Sequence, residues 1–287
     1  MTKNYLIAHR FRKHGELPYV LLLFFFLIHF FAKAFQEPFP IGARSWALGN
    51  ASVSLIDPNA FYNNPASMAF LENKVFSVSC HVPFGYSDLK TLSLAGAFSF
   101  GNNALGIGMI RFGDKLFNQQ KIGIAFAKKN HRISLGGKIS LLQESISNER
   151  SNSTLITEFG LFTKLSSKLS LGFLSYNLTR ASLHPNEIMP TVLRIGVAFF
   201  PTKQVLFTLE AENHIKKQTQ VKAGLEYQII KNVYLRTGIS TKPLLAHFGF
   251  GIQKRQFLFE IAAVSHTTLG ISSHFSINYY LNKNINQ

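Results

Sequence analysis

The 287-residue chain holds one cysteine, Cys80, and one tryptophan, Trp46, and only 15% of its residues are charged. A single thiol excludes a disulfide scaffold and any cysteine-based zinc site. The charged fraction lies well below the quarter usual in soluble domains. Acids are the scarce sign, 14 Asp and Glu against 30 Lys and Arg. Hydrophobic residues reach 46%, which excludes a disordered chain, because disorder needs low hydrophobicity. Long apolar runs are also missing: after Phe31 none approaches the ~20 residues of a transmembrane helix. No G-x-S-x-G, H-E-x-x-H, P-loop or dinucleotide fingerprint occurs, and Gly106-Ile107-Gly108 sits in a strand pattern with no helix after it. The histidines are scattered, with no pair at metal-ligand spacing. Neither an enzyme nor a cofactor or metal protein is expected. The one cluster worth weighing, His266 with Ser265 and Glu260, reads as ordinary loop and lumen residues. Nucleic-acid binding is not expected either, since Lys and Arg gather in turns rather than on one stripe with aromatics.

What is present begins with a targeting pattern. Lys3, Arg10, Arg12 and Lys13 precede an apolar run from Val20 to Phe31, broken only by His29, and Ala32-Lys33-Ala34 follows. Basic residues, a dozen apolar ones and small residues at the end compose a secretory signal peptide, expected to span 1–34. A membrane anchor is the competing reading, but the run is too short for roughly 30 Å of hydrocarbon. No cysteine follows the run, which excludes a lipoprotein. Removing the segment leaves 25 basic residues against 13 acidic ones.

Beyond about residue 73 the pattern has period two. Thr219, Val221, Ala223, Leu225, Tyr227 and Ile229 fall on one face, against Gln220, Lys222, Gly224, Glu226 and Gln228 on the other. Such alternation is a strand with one apolar and one polar side. About fourteen such segments are predicted, the first near 75–82 and the last near 268–280. Most have the length that a strand tilted by about 45° needs to cross a bilayer, whereas soluble strands cluster near five or six residues. Connections give an independent test. Tight polar turns such as Gly101-Asn102-Asn103, Lys128-Lys129-Asn130 and Lys231-Asn232 alternate with longer links: Pro83 to Leu89, Gly113 to Asn118, Gln143 to Ser153 and Thr179 to Pro190. Short periplasmic turns opposite longer external loops are the habit of outer-membrane barrels. The fold class predicted is therefore all-β: a transmembrane antiparallel barrel of about 14 strands over 74–287, in the outer membrane of a Gram-negative bacterium, with outer-membrane lipid as its first partner.

A barrel in lipid turns its apolar faces outward, so the polar faces line the lumen. Glu158, Lys164, Arg194, Glu210, Glu212, Lys222, Glu226, Arg236, His247, Glu260 and His274 fall there, and the mixture predicts one mutually paired, structural network. Strands two to five differ, with inward Ser93, Ala95, Ala97, Ser99, Ala104, Gly106, Gly108, Gly123, Ala125, Ala127, Ser134, Gly136 and Ser140. That wall carries almost no side-chain volume. The segment 35–73, which lacks strand alternation, is the natural filler and is expected to tuck inside as a plug.

Within that segment stand Gly42-Ala43-Arg44, Ala47-Leu48-Gly49-Asn50-Ala51, Asp57 and Asn63-Asn64-Pro65-Ala66. This arrangement resembles the PorV/PorQ family of Bacteroidota outer-membrane proteins, part of the wider FadL-like barrel group. That group typically carries G-A-R, a small A-M-G-G-A stretch, an acidic pair and N-P-A before its first strand. Here Leu48 replaces the Met, Asn50 the second Gly, and Asp57-Pro58 stands in place of two acids. The resemblance covers nearly the whole chain. It implies a fourteen-stranded barrel with an N-terminal hatch whose motif residues are Gly42, Ala43, Arg44, Gly49, Asn64, Pro65 and Ala66. It also implies one of two functions. FadL-type relatives pass hydrophobic small molecules through a lateral opening, and PorV/PorQ-type relatives act in type IX secretion, gripping a protein at the cell surface. The residues themselves favour a kinked turn at Asn64-Pro65, because proline removes a donor and restricts the residue before it. Neither the ligand, the protein partner nor the oligomeric state is legible.

Overall fold

The computed structural model describes residues 38–147, 150–184, 187–215 and 218–281. The predicted signal peptide lies outside them. Sixteen strands are present: β1 (Lys74–Val82), β2 (Thr91–Phe100), β3 (Asn103–Gly113), β4 (Phe117–Asn130), β5 (Ile133–Ile146), β6 (Asn152–Lys164), β7 (Leu169–Tyr176), β8 (Ser182–His184), β9 (Glu187–Ile188), β10 (Val192–Phe199), β11 (Val205–His214), β12 (Gln220–Ile230), β13 (Val233–Ser240), β14 (Leu245–Lys254), β15 (Phe257–His266) and β16 (Gly270–Leu281). Fourteen of them close into an antiparallel barrel, while β8 and β9 form a small hairpin of their own in the link between β7 and β10. Closure is completed by β1 on β16, paired from Lys74↔Leu281 to Val82↔Ser273.

Alternation explains the closure. On β5, Ile133, Leu135, Gly137, Ile139 and Leu141 are exposed while Ser134, Gly136, Lys138, Ser140 and Leu142 are buried. The same phase holds on β15, where Phe257, Phe259 and Ile261 face out and Leu258, Glu260 and Ala262 face in. An exposed belt of Leu, Ile, Phe and Val beside a buried row of polar groups is stable only in hydrocarbon, which in turn forbids an open sheet edge. No described helix is long and apolar enough to cross a membrane.

Three connections differ from expectation, one of them the link predicted from Gln143 to Ser153, which shortens because Gln143↔Ser153 and Glu144↔Asn152 still pair. The link predicted from Gly113 to Asn118 shrinks to 114–116, because Asn118 to Gln120 stay paired with β3 and β5. Inward Gln119 donates to Glu144 at 2.7 Å, so these polar residues continue the strands instead of ending them. The predicted loop 179–190 carries the β8–β9 hairpin, held at its base by Asn177, whose side chain accepts from Ala181 N–H and donates to the Met189 carbonyl.

The segment before β1 contains two short helices, α1 (Ala43–Ala47) and α2 (Ala60–Asn63), and a 3-10 turn over Pro65–Phe70. Nearly every residue from Ile41 to Ala69 is buried. Its polar bonds run to inward positions right round the barrel. Ser276 on β16 accepts from Ala43 N–H, Ser134 on β5 donates to the Ala66 carbonyl, and Ser170 on β7 donates to the Ser54 carbonyl. His247 on β14 bonds the Trp46 carbonyl at 2.7 Å. Only a segment inside the lumen can reach all four.

Candidate functional site: the lumen and the wall beside it

The lumenal charges form three groups rather than the single network expected. In the first, Glu212 meets Arg194 at 2.5 Å, Lys222 at 2.7 Å and His214 at 2.9 Å, and Lys222 also meets Glu210 at 3.2 Å. In the second, Arg236 joins Glu226 at 2.5 Å to Glu260 at 2.9 Å, and Asn278 donates to Glu260. In the third, Glu158 pairs with Lys138 at 2.8 Å, with Lys121 at 3.9 Å. The separation follows from register, since cross-strand partners such as Glu226↔Arg236 and Glu210↔Lys222 stand opposite each other and satisfy themselves locally. Lys164 joins no ion pair among the described residues and lies over the Phe70 ring at 5.1 Å.

The N-terminal segment inserts into two of these groups. Arg44 places a bidentate fork on Glu226 at 2.8 and 2.9 Å, so Glu226 is shared between the segment and the wall. Glu210 accepts the backbone N–H groups of Ser52 and Val53, both at 2.8 Å. A carboxylate that also neutralises Lys222 thereby pins the segment's main chain. Asp57 is buried nearby, and burial raises its carboxyl to about 6, with the Arg44 charge pulling the other way.

The motif residues divide by role. Gly42 and Gly49 have φ of 98° and 69°, a region that side chains resist, and a Cβ on Gly49 would sit 2.7 Å from the Ala223 and Ile239 carbonyl oxygens. Ala43 packs with Ala47 against Ala262. Asn64 is extended, its side-chain oxygen accepts from Ala66 N–H, and Pro65 opens the 3-10 turn where a missing donor costs nothing. Asn64 also donates to the carbonyls of Val53 and Leu161.

Against β2 to β5 the segment presents bulk instead of charge. Phe61, Tyr62 and Met68 cluster with Ala95, Ala97, Ala104, Ala125 and Ala127. Tyr62 donates to the Leu94 and Met109 carbonyls. A Cβ on Gly136 would lie 2.5 Å from Ala66 N, so the main chain there touches the wall. This wall is not bare, as the sequence reading had it: Lys138 and Lys121 point inward from it, and Lys138 donates to the Phe61 carbonyl at 3.1 Å. The β5 alternation already carried that information, since 138 shares the phase of 134, 136 and 140.

Directly outside the same wall is an open apolar groove of about 650 Å³, with Phe98, Leu105, Ile107, Ile124, Phe126 and Ile139 around outward Gly137. Inward Gly106 and Ala125 form its back. Pairing across β2, β3, β4 and β5 is continuous, and no register shift opens the wall. The Ser265, His266 and Glu260 cluster is dispersed: Ser265 faces out, His266 accepts from the N–H groups of Thr268 and Leu269, and Glu260 is in the lumen.

A closed fourteen-stranded barrel with an apolar outer belt and an occupied lumen defines a transmembrane barrel of the outer-membrane class. Solved structures with this fold include the Ralstonia pickettii toluene transporter TbuX, with a TM-score of 0.69 and 10% identity over 86% of this chain and 100% of that one. The monoaromatic hydrocarbon channel CymD gives 0.66 and 11% over 87% and 100%. The P. putida toluene transporter TodX gives 0.64 and 13% over 86% and 100%. No protein-family model and no curated protein sequence matches the chain. A Pseudomonas aeruginosa FadL homologue shares the fold, with a TM-score of 0.59 and 13% identity over 86% of this chain and 100% of that one, and nothing in these comparisons points to PorV/PorQ.

Proposed function

We propose that this chain is a non-enzymatic channel for hydrophobic small molecules in the outer membrane of a Gram-negative bacterium, with residues 35–73 as its plug. One observation carries the reading. Across β2 to β4, glycine and alanine at inward positions leave little between the apolar group Phe61, Tyr62 and Met68 inside and the apolar groove outside, with the Lys138–Glu158 pair at the groove's β5–β6 margin. A hydrophobic molecule displacing that group would meet a thin wall whose far side is lined by Phe, Leu and Ile. Fold neighbours that carry toluene and other monoaromatic hydrocarbons support the substrate class. The wall is fully paired in this state, so passage requires the plug to shift and the β2–β4 ladder to part.

That same continuity favours a second reading, a non-transporting scaffold of the PorV/PorQ kind whose loops near 143–153 and 179–190 grip a secretion-system protein. Labelled toluene and a labelled long-chain fatty acid, offered to a Gram-negative host lacking its own such channel, separate the two. Faster uptake on expression of the chain, and raised bilayer conductance on deletion of residues 40–70, are expected. Unchanged uptake of both compounds, with a protein co-purifying in detergent, rejects transport in favour of the scaffold.

A further inference from the structure

The outer surface of the barrel carries a second groove, at the end of the strands where the longer loops lie. It measures about 720 Å³ and lies between the β1–β2 and β3–β4 connections. Lys90, Arg111 and Lys115 line it, all exposed, beside Leu92 and Leu116. Register places the first two together: Lys90 stands opposite Gly113, and Arg111 opposite Leu92, on the outward face. Among the described residues none of the three makes an ion pair. Two carboxylates also line the groove, but Asp114 is committed to its own turn, accepting from the N–H groups of Leu116 and Phe117 at 2.9 and 3.0 Å. Asp88 contacts the adjacent Ser87 hydroxyl.

Exposed Arg150, Arg180 and Lys242 stand singly in other connections at this end, whereas three cations share this groove. At comparable outward positions on other strands stand Gln143, Ser153, Asn213, Ala246, Ser265 and Ile271, none of them basic. At the rim an outward Lys or Arg costs little, about 0–1 kcal/mol, so three cations gathered there are free to meet an anionic headgroup. The outward rows below it are apolar. Leu92 and Leu94 on β2, and Ile107 with Met109 on β3, lead down the wall to the groove at Gly137. Arg111 and Ile107 are four residues apart, about 13 Å along a strand at ~3.3 Å per residue. A headgroup at the basic rim would therefore lay its chains along this apolar path. Exposed Tyr86 and Leu89 stand in the same β1–β2 connection as Lys90.

We propose that this face binds one phosphorylated, multiply acylated glycolipid of the outer leaflet, its phosphate held by Lys90, Arg111 and Lys115 and its acyl chains on β2 and β3. Arginine and lysine in this arrangement supply charge-assisted donors suited to a phosphate monoester. The assignment rests on the barrel's standing in an outer membrane and is independent of what, if anything, it transports.

Native mass spectrometry of the full-length barrel in detergent, titrated with bis-phosphorylated lipid A, tests it. The wild type should retain the lipid, and the triple variant Lys90→Gln, Arg111→Gln, Lys115→Gln should bind about tenfold more weakly or worse, a loss of about 1.4 kcal/mol. The triple variant Lys203→Gln, Lys231→Gln, Lys254→Gln removes the same charge from the opposite rim and should bind as wild type. Heat-dependent gel mobility checks that each barrel is closed. Equal binding by both triple variants overturns the proposal. So does equal binding of phosphatidylglycerol or of the deacylated phosphorylated disaccharide, or displacement of the lipid by inorganic phosphate.

Discussion

The two sides of the lumen solve one problem in opposite ways. From β10 to β16 the inner face carries long charged side chains that fill space and neutralise each other, as Arg194, Glu210, Glu212 and Lys222 do. From β2 to β5 it carries mostly Ser, Ala and Gly, and the filling comes from Phe61, Tyr62 and Met68 of another part of the chain. The charged side is held by cross-strand pairs, and the segment adds bonds to it at Glu226, Glu210, Arg194 and His247. The small-residue side has no such internal support. The segment also packs Leu48, Gly49 and Val53 on inward glycines of β10, β12 and β13, but ion pairs between strands remain on that side if it shifts, and among the described residues none joins β2, β3 and β4 to one another.

The largest effect should come from the charged side. Glu212→Gln leaves Arg194, Lys222 and His214 facing a neutral amide, and breaking a buried ion group in this way costs about 3–5 kcal/mol. The temperature at which the barrel loses its compact gel mobility should fall accordingly; an unchanged temperature would show the network to be dispensable. Next is Arg44→Gln, which removes a bidentate charge-assisted contact to Glu226 worth about 1.5–3 kcal/mol in all. Because Arg236 still neutralises Glu226, the barrel should stay closed while single-channel conductance rises, separating the plug's hold from the wall's stability. Gly136→Val presses on Ala66 and should cost about 1–3 kcal/mol through overpacking. Its neighbour Gly137 faces outward with no atom within 4 Å of an added Cβ. Gly137→Val should change stability by less than about 0.5 kcal/mol. If the two glycine variants behaved alike in thermal melts, the inside-against-outside contrast on β5 would be lost.

Much of this was legible in residue order. All fourteen barrel strands follow from period-two alternation, because a strand in lipid must present apolar groups on one side and nothing else satisfies them. Glu158, Arg194, Glu210, Glu212, Lys222, Glu226, Arg236 and Glu260 were legible as lumenal for the same reason. Partner choice was not. Arg44 belongs to the hatch motif by sequence and to the Glu226 group by contact, across 182 positions of chain that no periodicity connects. The extension of β3 and β4 to within three residues of each other was hidden as well, since Gly113 and Asn118 look like loop until their pairing with each other, and of Asn118 with Ser145, is seen.

By itself, then, the sequence determined the strand count, the facing of each side chain and the need for something to occupy a glycine- and alanine-lined wall. Those are local consequences of alternation and side-chain volume. Tertiary structure alone decided how the charges divide into three groups, which carboxylates hold the N-terminal segment, and that apolar residues inside and outside β2 to β5 lie back to back. Register and barrel closure set those relations, and both depend on strands meeting across distances that sequence spacing does not encode.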